Sequence, residues 1–409
     1  MLDKNINNFF LILFSIIPIS FIIGPAIILT NVLLIDILFL GLIISKKEYS
    51  FFKNNTVKYL FILYIYLVFN SFISIDQKIG FFRNFGFLRF IILFVAFNYF
   101  FREKHFLKNV FISWTLILSL ILIDVFFESF MGRNLVGFES PYQERIVSFF
   151  RDEPVVGGFI NSFYLIIIGF LYMNSKNKKL IIFFSIIFLF SIFITGERSN
   201  SIKALAGFLI FCFILKEYNL KAKIIAAISV AILLVTMIAN SDFLKLRYGS
   251  QIKSHFSEDQ IYFKLYKSGF EVFKNYKIFG TGNKNYRVET CSNRILYTEK
   301  KSTYFCNTHP HQIYFELLSE HGIIGTLIIL FILYKILFSK IIYVFKDKNY
   351  IQSGSLIYLI LTFTPLIPSG AFFSDNLLTL FMINTAIFYS SNEKMCILNS
   401  KKLWLYKMV

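Results

Sequence analysis

The stretch AIILTNVLLIDILFLGLIIS, residues 26–45, contains one charged side chain, Asp36. A helix of this length rises about 30 Å, the thickness of a bilayer's hydrocarbon core. Its apolar side chains cover every face, with neither the one-sided stripe of a surface helix nor the alternation of a half-buried strand. Similar stretches recur near 8–24, 59–75, 86–101, 110–127, 156–173, 180–195, 201–215, 224–240, 322–343, 353–368 and 377–392. The chain has 409 residues, is 56% hydrophobic with 54 Phe, and has a mean hydropathy of +0.64. A soluble domain could not cover that much apolar surface, so lipid is the expected solvent. The predicted architecture is an all-α polytopic membrane protein of about twelve transmembrane helices, with residues 1–409 forming a single integral membrane domain.

The net charge of +18 invites a nucleic-acid reading, but the placement of the charges opposes it. With an even number of spans, the connections bearing Lys46, Lys47 and Lys53, then Arg102, Lys104 and Lys108, then Lys176, Lys178 and Lys179, then Lys216, Lys221 and Lys223 fall on one side. The positive-inside rule makes that side the cytoplasm and puts both termini there. The basic excess is mainly a topology signal, and the expected partners include membrane lipids and no nucleic acid. No small-x-small cleavage site closes the first apolar run, so it is expected to remain as the first helix. Two long segments then lie outside: 128–155, and a large external, periplasmic loop at 241–321. Binding and catalysis concentrate in such loops, held by the rigid bundle beneath them.

Three clusters of chemistry-bearing residues meet on that outer side. The first is Arg145 with Arg151, Asp152 and Glu153. The second is Gly196-Glu197-Arg198-Ser199-Asn200, a tight connection between two spans. The third is Thr308-His309-Pro310-His311-Gln312 with Glu316 and Glu320; after nine intervening residues comes Gly322-Ile323-Ile324-Gly325, where the next helix is expected to begin. Arginines hold phosphate oxygens through paired, permanently charged hydrogen bonds, and a neutral histidine takes a proton from a hydroxyl. Together they suit a diphosphate leaving group and an attacking alcohol. Plainer readings stand beside these: a solvated ion cluster at Arg151, an interfacial anchor at Arg198, and a helix-positioning histidine at His311.

Cys291 and Cys306 lie in the segment placed outside the cytoplasm, where a disulfide is the leading reading. The alternative is zinc held by both with His309 and His311. Residues Phe256 to Lys274 fit an amphipathic helix along the membrane surface or over the mouth of the bundle. The turn Gly280-Thr281-Gly282-Asn283 reads as its stop more readily than as a phosphate loop. Asp36 and Asp124 sit inside apolar runs and are expected to face the bundle interior, with Asp124 near enough to the outer surface to border a site.

By these residues the chain resembles the O-antigen ligase and polymerase superfamily of bacterial membrane glycosyltransferases. The family's His-[Asn/Ser/Gln]-x9-Gly-x-x-Gly motif is met by His311, Gln312, Gly322 and Gly325 in HPHQIYFELLSEHGIIG. FFRDEPVVGGF around Arg151, TGERS around Arg198 and KIFGTGNKNY upstream of the histidine add to it. The motifs cover roughly residues 145 to 330, and the architecture covers the whole chain. The resemblance implies a GT-C-like glycosyltransferase bundle in the bacterial inner membrane with its active site facing the periplasm. It implies a metal-independent, inverting transfer without cofactor of a glycan from undecaprenyl diphosphate to an acceptor hydroxyl, that of lipid A core or another glycan. His311 would be the catalytic base; Arg198, Arg151, Arg145, Arg247 and Gln312 would bind the diphosphate or substrate. In one place the chain departs from the family pattern: Tyr262 stands where an arginine is common in the large loop, and Arg247, Lys264 or Arg287 is left to replace it.

The ligase reading is preferred over a polymerase of the same superfamily because the Gln312 form of the motif follows the ligase pattern. A transporter or flippase of lipid-linked glycan would line its spans with charge or break them in two matching halves, and Gly24-Pro25 has no clear counterpart. A scaffold remains if His311 and Arg198 are only interfacial.

Overall fold

The computed structural model describes residues 4–142, 145–151, 153–253, 260–291 and 304–398. Asp152 and residues 256–259 of the expected amphipathic helix lie outside them. Among the described residues the chain is helical throughout, with an isolated bridge between Arg133 and Glu139 in place of any sheet. The helices are α1 Lys4–Ser15, α2 Ile17–Ile23, α3 Pro25–Lys46, α4 Asn55–Phe72, α5 Gln77–Phe85, α6 Leu88–Phe101, α7 Lys104–Met131, α8 Val156–Asn174, α9 Lys178–Ile194, α10 Arg198–Ile214 and α11 Leu220–Ala239. They continue with α12 Asp242–Lys245, α13 Gln251–Lys253, α14 Ile261–Asn275, α15 Tyr286–Cys291, α16 Ile313–Ile336, α17 Ile341–Lys346, α18 Tyr350–Thr362 and α19 Asp375–Ser390.

Each of the twelve apolar stretches falls on a helix. Among the described residues, six helical segments are long and apolar enough to cross a membrane alone: Pro25–Lys46, Gln77–Phe101, Lys104–Met131, Val156–Asn174, Leu220–Ala239 and Ile313–Lys346. The pair α1 and α2, bent by 45°, makes a seventh if counted as one span. Pro18 causes that bend. It offers no N–H to the Phe14 carbonyl one turn earlier, and the indole Nε1 of Trp114 donates to that carbonyl instead at 2.9 Å. An aromatic cluster of Phe14, Phe97, Phe100, Phe101 and Phe106 closes around the break.

Burial separates the centre of the bundle from its rim. Of the most apolar window in α8, 83% is buried inside the protein, against 11% in α11. Helix α8 therefore occupies the middle, packed on α9, α10, α18 and α19, and α11 stands at the periphery.

The expected start of the last long helix needs correction. Helix α16 begins at Ile313, directly after His311-Gln312, because the Gln312 side chain caps it by accepting from Phe315 N at 3.1 Å. Gly322 is a break inside the helix, with φ +62° and ψ −168°. There the helix exchanges backbone hydrogen bonds with the segment 277–282. Thr281 N donates to Ser319 O and Gly282 N to Glu320 O, both at 2.9 Å, while Ile323 N donates to Lys277 O at 2.8 Å and Ile324 N to Ile278 O at 3.2 Å. A Cβ on Gly322 would strike the Ile278 carbonyl, so only glycine permits this docking. The Gly280-Thr281-Gly282 turn is thus the partner of the helix break.

Candidate active site

A cavity of about 900 Å³ opens at the end of the bundle where α3, α8, α10, α16 and α19 begin. Arg145, Arg151, Arg198, Arg247 and His311 all line it, bringing together residues from all three sequence clusters and from the segment after α12. Of the three candidates to replace the arginine missing at position 262, Arg247 lines the cavity; Lys264 and Arg287 are exposed and do not. Tyr262 lines it too, its ring 6.0 Å from that of His311.

The arginines are held from behind. Arg247 donates twice to the Gly196 carbonyl, at 3.0 and 2.7 Å, and once to Gln251 Oε1 at 2.7 Å. Arg198 donates to the Gln251 carbonyl at 2.7 Å, so one residue ties both. Gly196 has φ +72°, and a side chain there would meet the Phe243 ring at 2.6 Å. Arg145 donates to Pro154 O at 3.3 Å, and its buried Nε has no partner among the described residues. Arg151, at φ +59°, lies over the Phe138 ring at 5.3 Å. Burial, then the charges of Arg145 and Arg198, push the Arg247 guanidinium below its ordinary value. A polyanion in the cavity would relieve that repulsion.

The acids near the arginines are already committed to backbone. Glu197 accepts from Gly157 N at 2.6 Å, Gly158 N at 3.0 Å and Asn200 Nδ2 at 2.7 Å, putting its carboxylate at the N-terminus of α8. It leaves the first turn of its own helix, α10, facing the cavity at Ser199 and Asn200. Asp124 is buried and does not line the cavity; it accepts from Leu135 N at 2.7 Å, and Glu128 accepts from Val147 N and Ser148 N at 3.1 and 2.6 Å. These two carboxylates moor the loop that presents Arg145 and Arg151. Glu316 and Glu320 lie behind the site: Glu316 accepts from Phe372 N at 2.9 Å, and Glu320 from Lys284 N and Tyr286 N at 2.9 and 3.3 Å. Asp36 is buried in α3 away from the cavity, with neither carboxylate oxygen hydrogen-bonded among the described residues.

His311 has φ +55°, and its carbonyl accepts from Ser369 N at 2.8 Å. Its ring centroid is 3.9 Å from that of His309, whose Nε2 meets the Ser369 carbonyl at 3.3 Å. Burial pushes His311 below the ordinary histidine value, against the opposing effect of the Ser369 carbonyl. It is therefore neutral at pH 7, the form that accepts a proton. His309 is pushed down to about 3 by burial, then by His311 and Lys284, and acts as a wall behind His311. Helix α14 backs the loop: Tyr266 stacks on Phe315 at 5.4 Å, and Gly269 faces Pro310. The disulfide Cys291–Cys306, with Cα atoms 4.7 Å apart, anchors the chain just before the histidines. It takes the sulfurs that the zinc reading required. Gln312, expected at the substrate, is instead the cap of α16 and does not line the cavity.

Ser369 and Lys203 are among the polar lining residues that were not foreseen. Ser369 sits in the connection between α18 and α19, where sequence gives no warning. Lys203 is a charged residue within an apolar run, the same signal that marked Asp36 and Asp124. Apolar side chains share the lining with the cations: Phe21, Ile22, Ile23 and Pro25 around the α2–α3 junction, and Leu377 and Leu380 on α19. One site therefore offers fixed positive charge, a neutral imidazole and apolar side chains.

Residues 183–330 match the family described as O-antigen ligase, and the match supports placing the chain in the O-antigen ligase superfamily. It takes in Arg198, Arg247, His311, Gly322 and Gly325, whereas Arg145 and Arg151 come from outside it. No curated protein matches the chain. The family and the apolar helices together support a multi-pass bacterial membrane protein with an O-antigen ligase or polymerase type of function.

Proposed function

We propose that this member of the O-antigen ligase superfamily transfers a glycan from undecaprenyl diphosphate to a hydroxyl of lipid A core at the periplasmic face of the inner membrane. The observation that carries the reading is the convergence of Arg145, Arg151, Arg198, Arg247 and His311 on one cavity that is also lined by apolar side chains such as Phe21, Ile22, Leu377 and Leu380. The apolar side chains suit a polyprenyl chain and the arginines suit its diphosphate. His311 takes the proton of the acceptor hydroxyl, whose oxygen forms a bond to the anomeric carbon as the carbon–oxygen bond to the diphosphate breaks. Attack from the face opposite the leaving group inverts the anomeric centre. The departing negative charge develops against guanidiniums already in place, which lowers the barrier without reorganisation.

The basic connections expected in the cytoplasm follow the C-termini of α3, α6, α8 and α10, at the end of the bundle remote from the cavity. That supports a periplasmic cavity, cytoplasmic termini and twelve crossings, the shorter helices included. The test is transfer by the purified protein in nanodiscs, given a lipid-linked glycan donor and rough lipopolysaccharide as acceptor. The wild type makes the ligated product, while His311→Ala and Arg198→Ala insert normally and make little. Full turnover by His311→Ala refutes the base, and product elongated on the lipid carrier instead identifies a polymerase.

A further inference from the structure

Lys203 is one residue whose charge no step above uses. It is 9% exposed, lines the cavity, and has no hydrogen bond or ion pair among the described residues. An ammonium in an apolar helix without a counter-ion is costly, and such residues face a cavity because they meet a ligand there. Helix α10 runs from Arg198 at the cavity end into the bundle, so Lys203 lies about 7.5 Å further along its axis. Asn161 lies five residues after the first residue of α8, Val156, as Lys203 lies five after the first residue of α10, Arg198, and both helices begin at the cavity. It also lines the cavity and likewise has no partner among the described residues. Ile202 and Leu380 also line the cavity, so its lining mixes this cation and amide with apolar side chains.

We propose that Lys203, with Asn161, binds the lipid-proximal phosphate of the donor, so that the site selects a polyprenyl diphosphate over a monophosphate. This rests on the diphosphate reading above. A donor whose sugar reaches His311 and whose chain lies on the apolar side chains must order its groups as sugar, outer phosphate, inner phosphate, lipid. The arginines on the connecting segments meet the outer phosphate, and the deeper ammonium meets the inner one. Lys203 takes no part in bond making; it positions the donor.

The test uses full-length protein in nanodiscs of zwitterionic lipid. Wild type, Lys203→Met, Lys203→Arg and His311→Ala are titrated with undecaprenyl diphosphate and undecaprenyl monophosphate, read by thermal stabilisation, and assayed for donor KM and kcat. Loss of one charge-assisted contact is expected to raise the donor KM of Lys203→Met about 10- to 100-fold with kcat nearly unchanged. Lys203→Arg recovers most of the loss, and the preference for diphosphate over monophosphate narrows in Lys203→Met alone. If Lys203→Met does not insert, Asn161→Leu carries the same comparison. Unchanged diphosphate binding in Lys203→Met, with His311→Ala inactive, overturns this proposal and leaves the function standing. Failure of the wild type to bind undecaprenyl diphosphate removes both. Lys203-dependent stabilisation by phosphatidylglycerol equal to that by the diphosphate overturns the selector and identifies a general lipid-headgroup site.

Discussion

Replacing Gly322 by alanine tests the link between the motif's glycine and the site. Gly322 has φ +62° with ψ near 180°, a region that costs a side-chain-bearing residue about 1–3 kcal/mol. The added Cβ would strike the Ile278 carbonyl and lie 2.6 Å from Phe279 N. Both obstacles are backbone, so a rotamer change cannot relieve them, and the segment 277–282 must move away from α16. That puts at risk the four backbone hydrogen bonds across the break, each worth about 1 kcal/mol. Partial loss gives a destabilisation of roughly 3–6 kcal/mol. Gly325→Ala differs in kind, because what its Cβ meets is side chain: the Tyr66 hydroxyl first, which Tyr66→Phe removes, then the Tyr66 ring carbon at 2.5 Å and the His321 Cβ at 2.8 Å, which can shift. Unfolding in detergent, followed by heat or denaturant, should rank Gly322→Ala well below Gly325→Ala, with Tyr66→Phe easing the second and not the first. A Gly322→Ala protein as stable as wild type would refute the docking of this segment as the reason for the glycine.

Glu197→Ala leaves the Gly157 and Gly158 donors and the Asn200 amide without their carboxylate. It should cost about 3–5 kcal/mol and lower transfer by displacing Arg198, whereas Glu197→Gln should cost less; unfolding and turnover measured together check this. His311 binds its proton less readily in the folded protein than in the unfolded chain, so its contribution to stability is present above about pH 6.5 and lost as pH falls below it. The acid limb of the transfer rate should likewise lie below pH 6.5, and a limb at or above that value contradicts His311 as the base. Reducing Cys291–Cys306, or replacing both by serine, should lower stability by about 3 kcal/mol and weaken turnover through the His311 loop, read by melting with and without reductant.

The helices were legible because lipid demands long, uninterrupted apolar runs, which sequence displays directly. What it did not display was how two-ended elements meet. The spacing between Gln312 and Gly322 suggested a helix starting at the glycines. It is instead the length of the helix between its cap and its break, a distinction that depends on the 277–282 segment, remote in sequence. The arginines were visible as charges where solubility does not require them. Their common cavity, and the diversion of Glu197 to the N-terminus of α8, depend on three connections converging at one end of the bundle. An amide beside a candidate base suits a ligand or a helix cap equally well until the helix start is known, and the start at Ile313 puts the Gln312 side chain in the cap. Lys203 was overlooked among the cationic signals although it breaks an apolar run as plainly as Asp36 does.

The most direct measurement is of lipid-linked and lipopolysaccharide-linked glycans in cells lacking the gene, complemented with wild type or His311→Ala. Long polymer is expected to accumulate on undecaprenyl diphosphate in the deletion, and wild type alone to move it to lipid A core. Full restoration by a normally inserted His311→Ala, or no change in either pool on deletion, would contradict the proposed function.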